Sequence, residues 1–269
     1  QEVVHYGKGA LSNLYVLSIG INDYKNSNYQ LNYAFNDAKS YAKLIKKGSS
    51  SLFNNVEEFF ISNDNANKET ILNVMKKIGS KAGSQDVFLF YYAGHGVIRK
   101  DKKGAEDFYV VTHDVTNIYG APEESTEKAI SAAELMQYSM NIKAEKQLFV
   151  VDAWPSGGAL NAFASRGIAR EKAISQLARS TGTMFLTASQ EAQYANEESK
   201  LKHGLFTYAL IEGLNGNADS GVKDQKITVN ELKTYVEDRV PELAEQYGIP
   251  AQYPTGYSFG QDFPIVIVK

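Results

Sequence analysis

The chain of 269 residues contains no cysteine. That absence excludes disulfides, thiolate metal sites and any cysteine nucleophile, and it leaves the redox compartment open. Histidine is also sparse. His5, His95, His113 and His203 fall in no HExxH or other short metal-ligand spacing, so neither a metal nor another cofactor is expected. An excess of either charge is lacking too. Lysine and arginine number 28 against 31 acidic residues, and the net charge of -3 offers no basic field for nucleic acid or an anionic membrane. No apolar run approaches bilayer length and no secretory leader is visible, so no membrane partner is expected and a cytoplasmic location is favoured. The start at Gln1 rather than Met reads as an excised domain or a processed product. No Pro/Gly/Ser-rich linker, internal repeat or low-complexity tract divides the chain. The expectation is one domain over residues 14–269, preceded by an extension or linker at 1–13.

What is present is ordinary globular material, with 43% hydrophobic residues to fill a core. Apolar, β-rich runs at 14–21, 56–61, 86–93, 146–153, 183–188 and 265–268 read as strands. Several are continuous rather than alternating, as expected of strands covered on both faces. Helical patterns lie at 34–47, 67–80, 131–140, 169–180, 204–214 and 228–247. Ser131 with Glu134, and Thr228 with Glu231, fit the capping box, and Asn67 can cap the helix that follows it. The alternation predicts an α/β fold: a mostly parallel central sheet of about six strands with helices on both faces. The polar stretches 99–107, 116–128 and 192–202 read as surface loops, as does 159–169 with Arg166. In such a sheet, ligands bind beyond the carboxyl ends of the strands.

Two predicted strand ends carry the chemistry. Tyr91-Tyr92-Ala93-Gly94-His95-Gly96 closes one, and Val150-Val151-Asp152-Ala153-Trp154-Pro155-Ser156-Gly157-Gly158 closes another. A glycine-flanked histidine alone is most simply a turn residue; the ordered pair is more specific. Together the two resemble the paired motifs of caspase-like peptidases, the group of caspases, metacaspases and paracaspases. Those enzymes carry Gly-His-Gly on one strand end and an Asp-Ala-Cys-x-Ser-Gly type sequence on a later one. Trp154 follows His95 by 59 residues, compatible with the roughly fifty found in caspases. The resemblance extends to Leu17-Ser18-Ile19-Gly20-Ile21-Asn22-Asp23-Tyr24 and to Leu31-Asn32-Tyr33-Ala34-Phe35-Asn36-Asp37-Ala38, which look like the family's first strand and first helix. Leu186-Thr187-Ala188-Ser189 and His203-Gly204-Leu205-Phe206-Thr207-Tyr208 resemble its small-subunit portion. Gln252-Tyr253-Pro254 with Asp262-Phe263-Pro264 resembles bacterial members often attached to repeat domains. The resemblance implies a three-layer caspase-like sandwich, with a large-subunit-like part at about 14–165 and a small-subunit-like part at about 170–269.

The departure falls on the chemistry. His95 matches the family's dyad histidine, and Trp154 stands where the nucleophilic cysteine should be. An indole has no nucleophilic atom suited to acyl transfer, and its N–H only donates a hydrogen bond. Without the resemblance, a lone Trp is most simply core filler. By resemblance the oxyanion donors are the backbone N–H groups of Gly96 and Trp154, which stabilise a developing charge but cannot start covalent catalysis alone. Ser156 lies two residues beyond the nucleophile position and is disfavoured as a substitute. Pro155 suits the first turn of a following helix.

Asp37 and Asp152 match acidic residues that, in metacaspases, line the pocket for a basic P1 side chain. A carboxylate pair suits a guanidinium or ammonium group. Taken alone, Asp37 is an early-helix acid favoured by the helix dipole, and Asp152 a hydrogen-bonded acid beside a turn. The stretch 219–231 faintly resembles a calcium loop, but its oxygen side chains miss the EF-hand positions.

Two functions follow. The first is a catalytically inactive caspase-like pseudopeptidase: a binding, scaffolding or regulatory domain with an acidic pocket for Arg/Lys peptides. The alternative is an active cysteine endopeptidase cutting after basic residues, whose cysteine has been replaced at 154. Either implies a peptide or protein ligand and admits fused or associated domains; the oligomeric state is left open.

Overall fold

An extended strand sends successive side chains to opposite faces, and here that alternation builds two cores at once. The computed structural model describes residues 12–100, 106–118, 127–155, 184–187, 201–250, 252–258 and 260–268. In β1 (Leu14–Gly20), Leu14 and Val16 face one core while Tyr15, Leu17 and Ile19 face the other. In β3 (Val87–Lys100), Val87, Leu89 and Tyr91 alternate with Phe88, Phe90 and Tyr92. In β6 (Lys146–Pro155), Leu148 and Val150 alternate with Phe149 and Val151. A strand apolar at every position is therefore covered on both sides.

The covering layers are helical. On one face lie α1 (Ala34–Ser49), α4 (Leu205–Glu212) and α5 (Val229–Tyr247), which contribute Tyr41, Ile45, Phe206, Leu210, Leu232 and Val236. On the other lie α2 (Lys68–Lys81) and α3 (Ala132–Met140), with Ile71, Met75, Ile78 and Leu135. Asn67 caps α2 through Thr70 N at 2.9 Å, and capping boxes at Ser131/Glu134 and Thr228/Glu231 open α3 and α5.

The central sheet also contains β2 (Val56–Ser62), β4 (Glu106–Val110), β5 (Ile130–Ser131), β7 (Met184–Thr187) and β9 (Thr255–Tyr257). Its spatial order is β2-β1-β3-β6-β7-β9, with β4 and β5 off this path. The first five strands of the path run parallel and β9 is antiparallel to β7. Two further strands, β8 (Lys226–Thr228) and β10 (Pro264–Ile267), form a separate antiparallel pair. Among the described residues no helix is long and apolar enough to cross a membrane.

Several expectations are corrected here. The apolar run at 265–268 supplies β10 of the small sheet, and the sixth strand of the path is β9. Three residues around Gly256 give no apolar run, so only pairing with β7 makes β9 a strand. Positions 99–107 are not simply a loop: β3 continues to Lys100, and β4 pairs back on it from Gly96↔Val110 to Lys100↔Glu106. Ladder hydrogen bonds, not hydrophobic pattern, extend these strands. The predicted helix at 169–180, the loop at 159–169 and residues 1–11 lie outside the described residues.

One buried polar side chain joins α3 to β6. Gln147 is 4% exposed; its Oε1 accepts from Ser139 Oγ at 2.7 Å. Its Nε2 donates to the carbonyls of Ser139, Ile142 and Ala144 at 3.2, 3.2 and 2.9 Å. These carbonyls end a helix and form the connection after it, where backbone acceptors lack helical partners. Gln147→Met keeps the volume and orphans them, so urea unfolding should report a loss of about 2 kcal/mol.

Candidate functional site

β3 and β1 pair only as far as Ala93↔Gly20, whereas β3 and β6 continue together to Gly96↔Pro155. The register sets His95 opposite Trp154. Over the end of β1, the chain turns through residues 21–33 and returns into α1. Asn22 secures this turn: its Oδ1 accepts from Phe35 N at 2.9 Å, supplying the N-terminal bond that Tyr33 does not give α1.

That turn brings two tyrosines onto His95. The His95 backbone N–H donates to the Tyr24 hydroxyl at 2.8 Å. The Tyr24 hydroxyl lies 3.3 Å from that of Tyr92, which reaches the carbonyls of Val111 at 2.7 Å and His95 at 2.9 Å. Both backbone groups of His95 are therefore held by tyrosine. The imidazole packs on the Tyr24 ring at 4.8 Å between centroids, and its Nε2 lies 2.7 Å from the Tyr29 carbonyl. A carbonyl only accepts, so Nε2 carries the proton and Nδ1 is the basic side of the neutral ring. Burial lowers the His95 pKa below its ordinary value, and the Tyr29 carbonyl partly opposes this; the ring is neutral at pH 7.

The flanking glycines have a steric role. A Cβ on Gly94 would lie 2.6 Å from both the Tyr24 and Tyr92 hydroxyls, and one on Gly96 would lie 2.6 Å from the Phe108 ring. Only a residue without Cβ lets the tyrosine clamp and β4 close around the histidine.

The two acids converge at a second point on the same edge. Asp37, in the first turn of α1, is 3% exposed. Its Oδ1 accepts from His203 Nδ1 at 2.5 Å and its Oδ2 from Gly204 N at 3.2 Å. Asp152, near the end of β6, accepts at Oδ2 from Thr207 Oγ1 at 2.7 Å. Thr207 Oγ1 is 2.5 Å from the Tyr91 hydroxyl, so a donor chain runs Tyr91 to Thr207 to Asp152. A Cβ on Gly204 would touch both carboxylates, at 3.4 Å from Asp37 Oδ2 and 3.5 Å from Asp152 Oδ2. Burial and then the Asp37 charge push the Asp152 carboxyl from 3.8 up to about 7, and Thr207 partly offsets this.

The structure thus sets His95 beside Trp154 in the ladder and brings Asp37 to Asp152 at Gly204. Pro155 is the last residue of β6, and the helix expected after it lies outside the described residues. Ser156 and Arg166 lie outside the described residues. Among the described residues no three His, Asp or Glu side chains are grouped to hold a metal ion. Sequence reasoning gave no role to Tyr24, Tyr29, Tyr92, His203 or Thr207. All but Tyr29 sit inside motifs quoted for the resemblance, but the sequence carries no sign of which partners they meet.

A family model described as the caspase domain matches residues 14–261. A sequence search of curated proteins finds no match. Among solved structures, the fold is similar to protein GSU0716 of Geobacter sulfurreducens, with TM-score 0.62, 14% identity, and 96% of this chain and 100% of that one covered. It is also similar to the Drosophila initiator caspase Dronc, with TM-score 0.58, 12% identity, and coverage of 94% and 81%.

Asp152 makes a pH signature. The folded chain holds a proton on it between about 4 and about 7 that the unfolded chain releases, so its contribution to stability falls as pH rises through that window. Asp152→Asn keeps an acceptor for Thr207 and removes the charge. It should raise the unfolding free energy at pH 8 by about 2 kcal/mol, damped by the partial exposure of the site. The gain should vanish near pH 4 when denaturant unfolding is measured across this range.

Proposed function

We propose a function from one premise: the chain belongs to the caspase-domain family. The reading is a catalytically inactive caspase-like binding domain that takes peptide or protein segments presenting Arg or Lys, rather than an enzyme that cuts them. The observation that carries it is Trp154, paired in the ladder with His95 in a chain that has no cysteine. Acyl transfer needs a nucleophile beside a base. Here the base is held by the Tyr29 carbonyl, and the neighbouring strand brings an indole-bearing residue. The Gly96 and Trp154 N–H groups are the proposed donors for a bound carbonyl, but they do not break a peptide bond by themselves.

The acidic pair supports the choice of ligand. Asp37 and Asp152 meet at Gly204, and each raises the cost of the other's charge. A guanidinium or ammonium group relieves that cost, and a guanidinium can bind two oxygens at once. An acidic or apolar side chain relieves none of it.

Trp154 is the only tryptophan, so its fluorescence can be followed while peptides with Arg, Lys, Asp or Ala at P1 are titrated. A saturable change with Arg and Lys alone is expected, weakened at least tenfold by Asp152→Ala, with no cleavage and no covalent acyl adduct by mass spectrometry. Cleavage by the native chain, or saturation by Asp peptides alone, overturns the reading.

A further inference from the structure

We propose that His203 regulates the acidic pocket as its resident counter-ion: its imidazole sits on Asp37, and once protonated it opposes binding of a second cation there. This rests on the reading of Asp37 and Asp152 as a site for a basic side chain.

The two acids are not equivalent. Asp37 has both oxygens engaged by consecutive residues of the segment before α4, His203 through Nδ1 and Gly204 through its backbone N–H. Asp152 has one hydrogen-bond partner among the described residues, Thr207 at Oδ2. His203 is the more exposed member of its pair, at 19% of its side chain against 4% for Asp37. Among the described residues, its only polar partner is Asp37. The residue before it, Lys202, adopts φ 55, a left-handed conformation that a non-glycine residue takes at some cost. The two bonds to Asp37 hold the segment in that shape.

Among the described residues, the groups facing the pair come from four elements. Helix α1 brings Asp37 and Tyr41, β3 brings Tyr91, β6 brings Asp152, and α4 brings Thr207. Tyr41 stacks on Tyr91 at 4.5 Å, and burial keeps both phenols protonated. Thr207 does not titrate. Asp152 holds its proton up to about 7, and His203 becomes a cation only when its second ring nitrogen is protonated. A neutral imidazole donates Nδ1–H to Asp37 and leaves the pocket its negative charge. An imidazolium neutralises Asp37 and adds a positive charge beside the ligand. At contact distances such a charge changes affinity for a cation by roughly tenfold.

The test is calorimetric binding of N-acetyl-arginine amide to the native chain, His203→Gln, His203→Lys and Asp152→Asn, from pH 5.5 to 8.5, with circular dichroism confirming that each variant is folded. The native chain should bind roughly a hundredfold more tightly at pH 8 than at pH 6, about tenfold from each of His203 and Asp152. His203→Gln should match it at pH 8 and exceed it roughly tenfold at pH 6, retaining only the dependence due to Asp152. His203→Lys, a fixed cation, should bind weakly at pH 8. Profiles of native and His203→Gln that superimpose would overturn the role of His203 while leaving the pocket intact, as would His203→Lys binding as tightly as native at pH 8. No binding by the native chain at any pH would overturn the pocket reading and this inference with it.

Discussion

The parallel ladder between β3 and β6 runs from Val87↔Lys146 to Gly96↔Pro155, and the site depends on it. Parallel pairing fixes register by evenly spaced backbone bonds, so a slip of one residue would turn every side chain to the other face. The alternation that buries Tyr91 and Val150 toward α1 and α4 also puts Asp152 on that face, against Thr207. The register that seats Phe90 beside Phe149 at 5.0 Å is the register that sets His95 opposite Trp154. Core packing and site geometry are therefore one constraint. Neither can shift without the other.

Two acids placed at one glycine carry an electrostatic cost, since buried like charges cannot both ionise freely. The molecule divides the burden. Asp37 takes donors from His203 and Gly204, and Asp152 holds its proton to about 7 while Thr207 occupies one oxygen. The tyrosines behind them remain neutral because burial raises their pKa values. Among the described residues the buried Tyr41 hydroxyl has no hydrogen-bond partner. A fold selected for stability alone would place apolar side chains here.

The support around His95 comes largely from tyrosines. Its backbone is held by Tyr24 and Tyr92, and its ring by the Tyr29 carbonyl. The glycines on either side exist to let those groups close in. The same groups pack the turn after β1 onto the sheet.

The α/β class, the parallel sheet and the two-sided burial of its central strands were legible in the sequence, because continuous apolar runs and capping pairs are local signals. So was the lack of any cysteine. β9 and the extension of β3 onto β4 were not legible, since they form where a neighbour offers hydrogen-bond partners rather than where side chains are apolar. Resemblance proposed Asp37 and Asp152 as partners, but no spacing rule joins positions 115 residues apart. Only the packing of α1 and the segment before α4 against the end of β6 brings them to Gly204 and adds His203. The sequence by itself determined which residues are available for chemistry and which strands must be buried. The tertiary structure decided which of them meet, because burial of the alternating faces, not proximity along the chain, sets the distances between their charges.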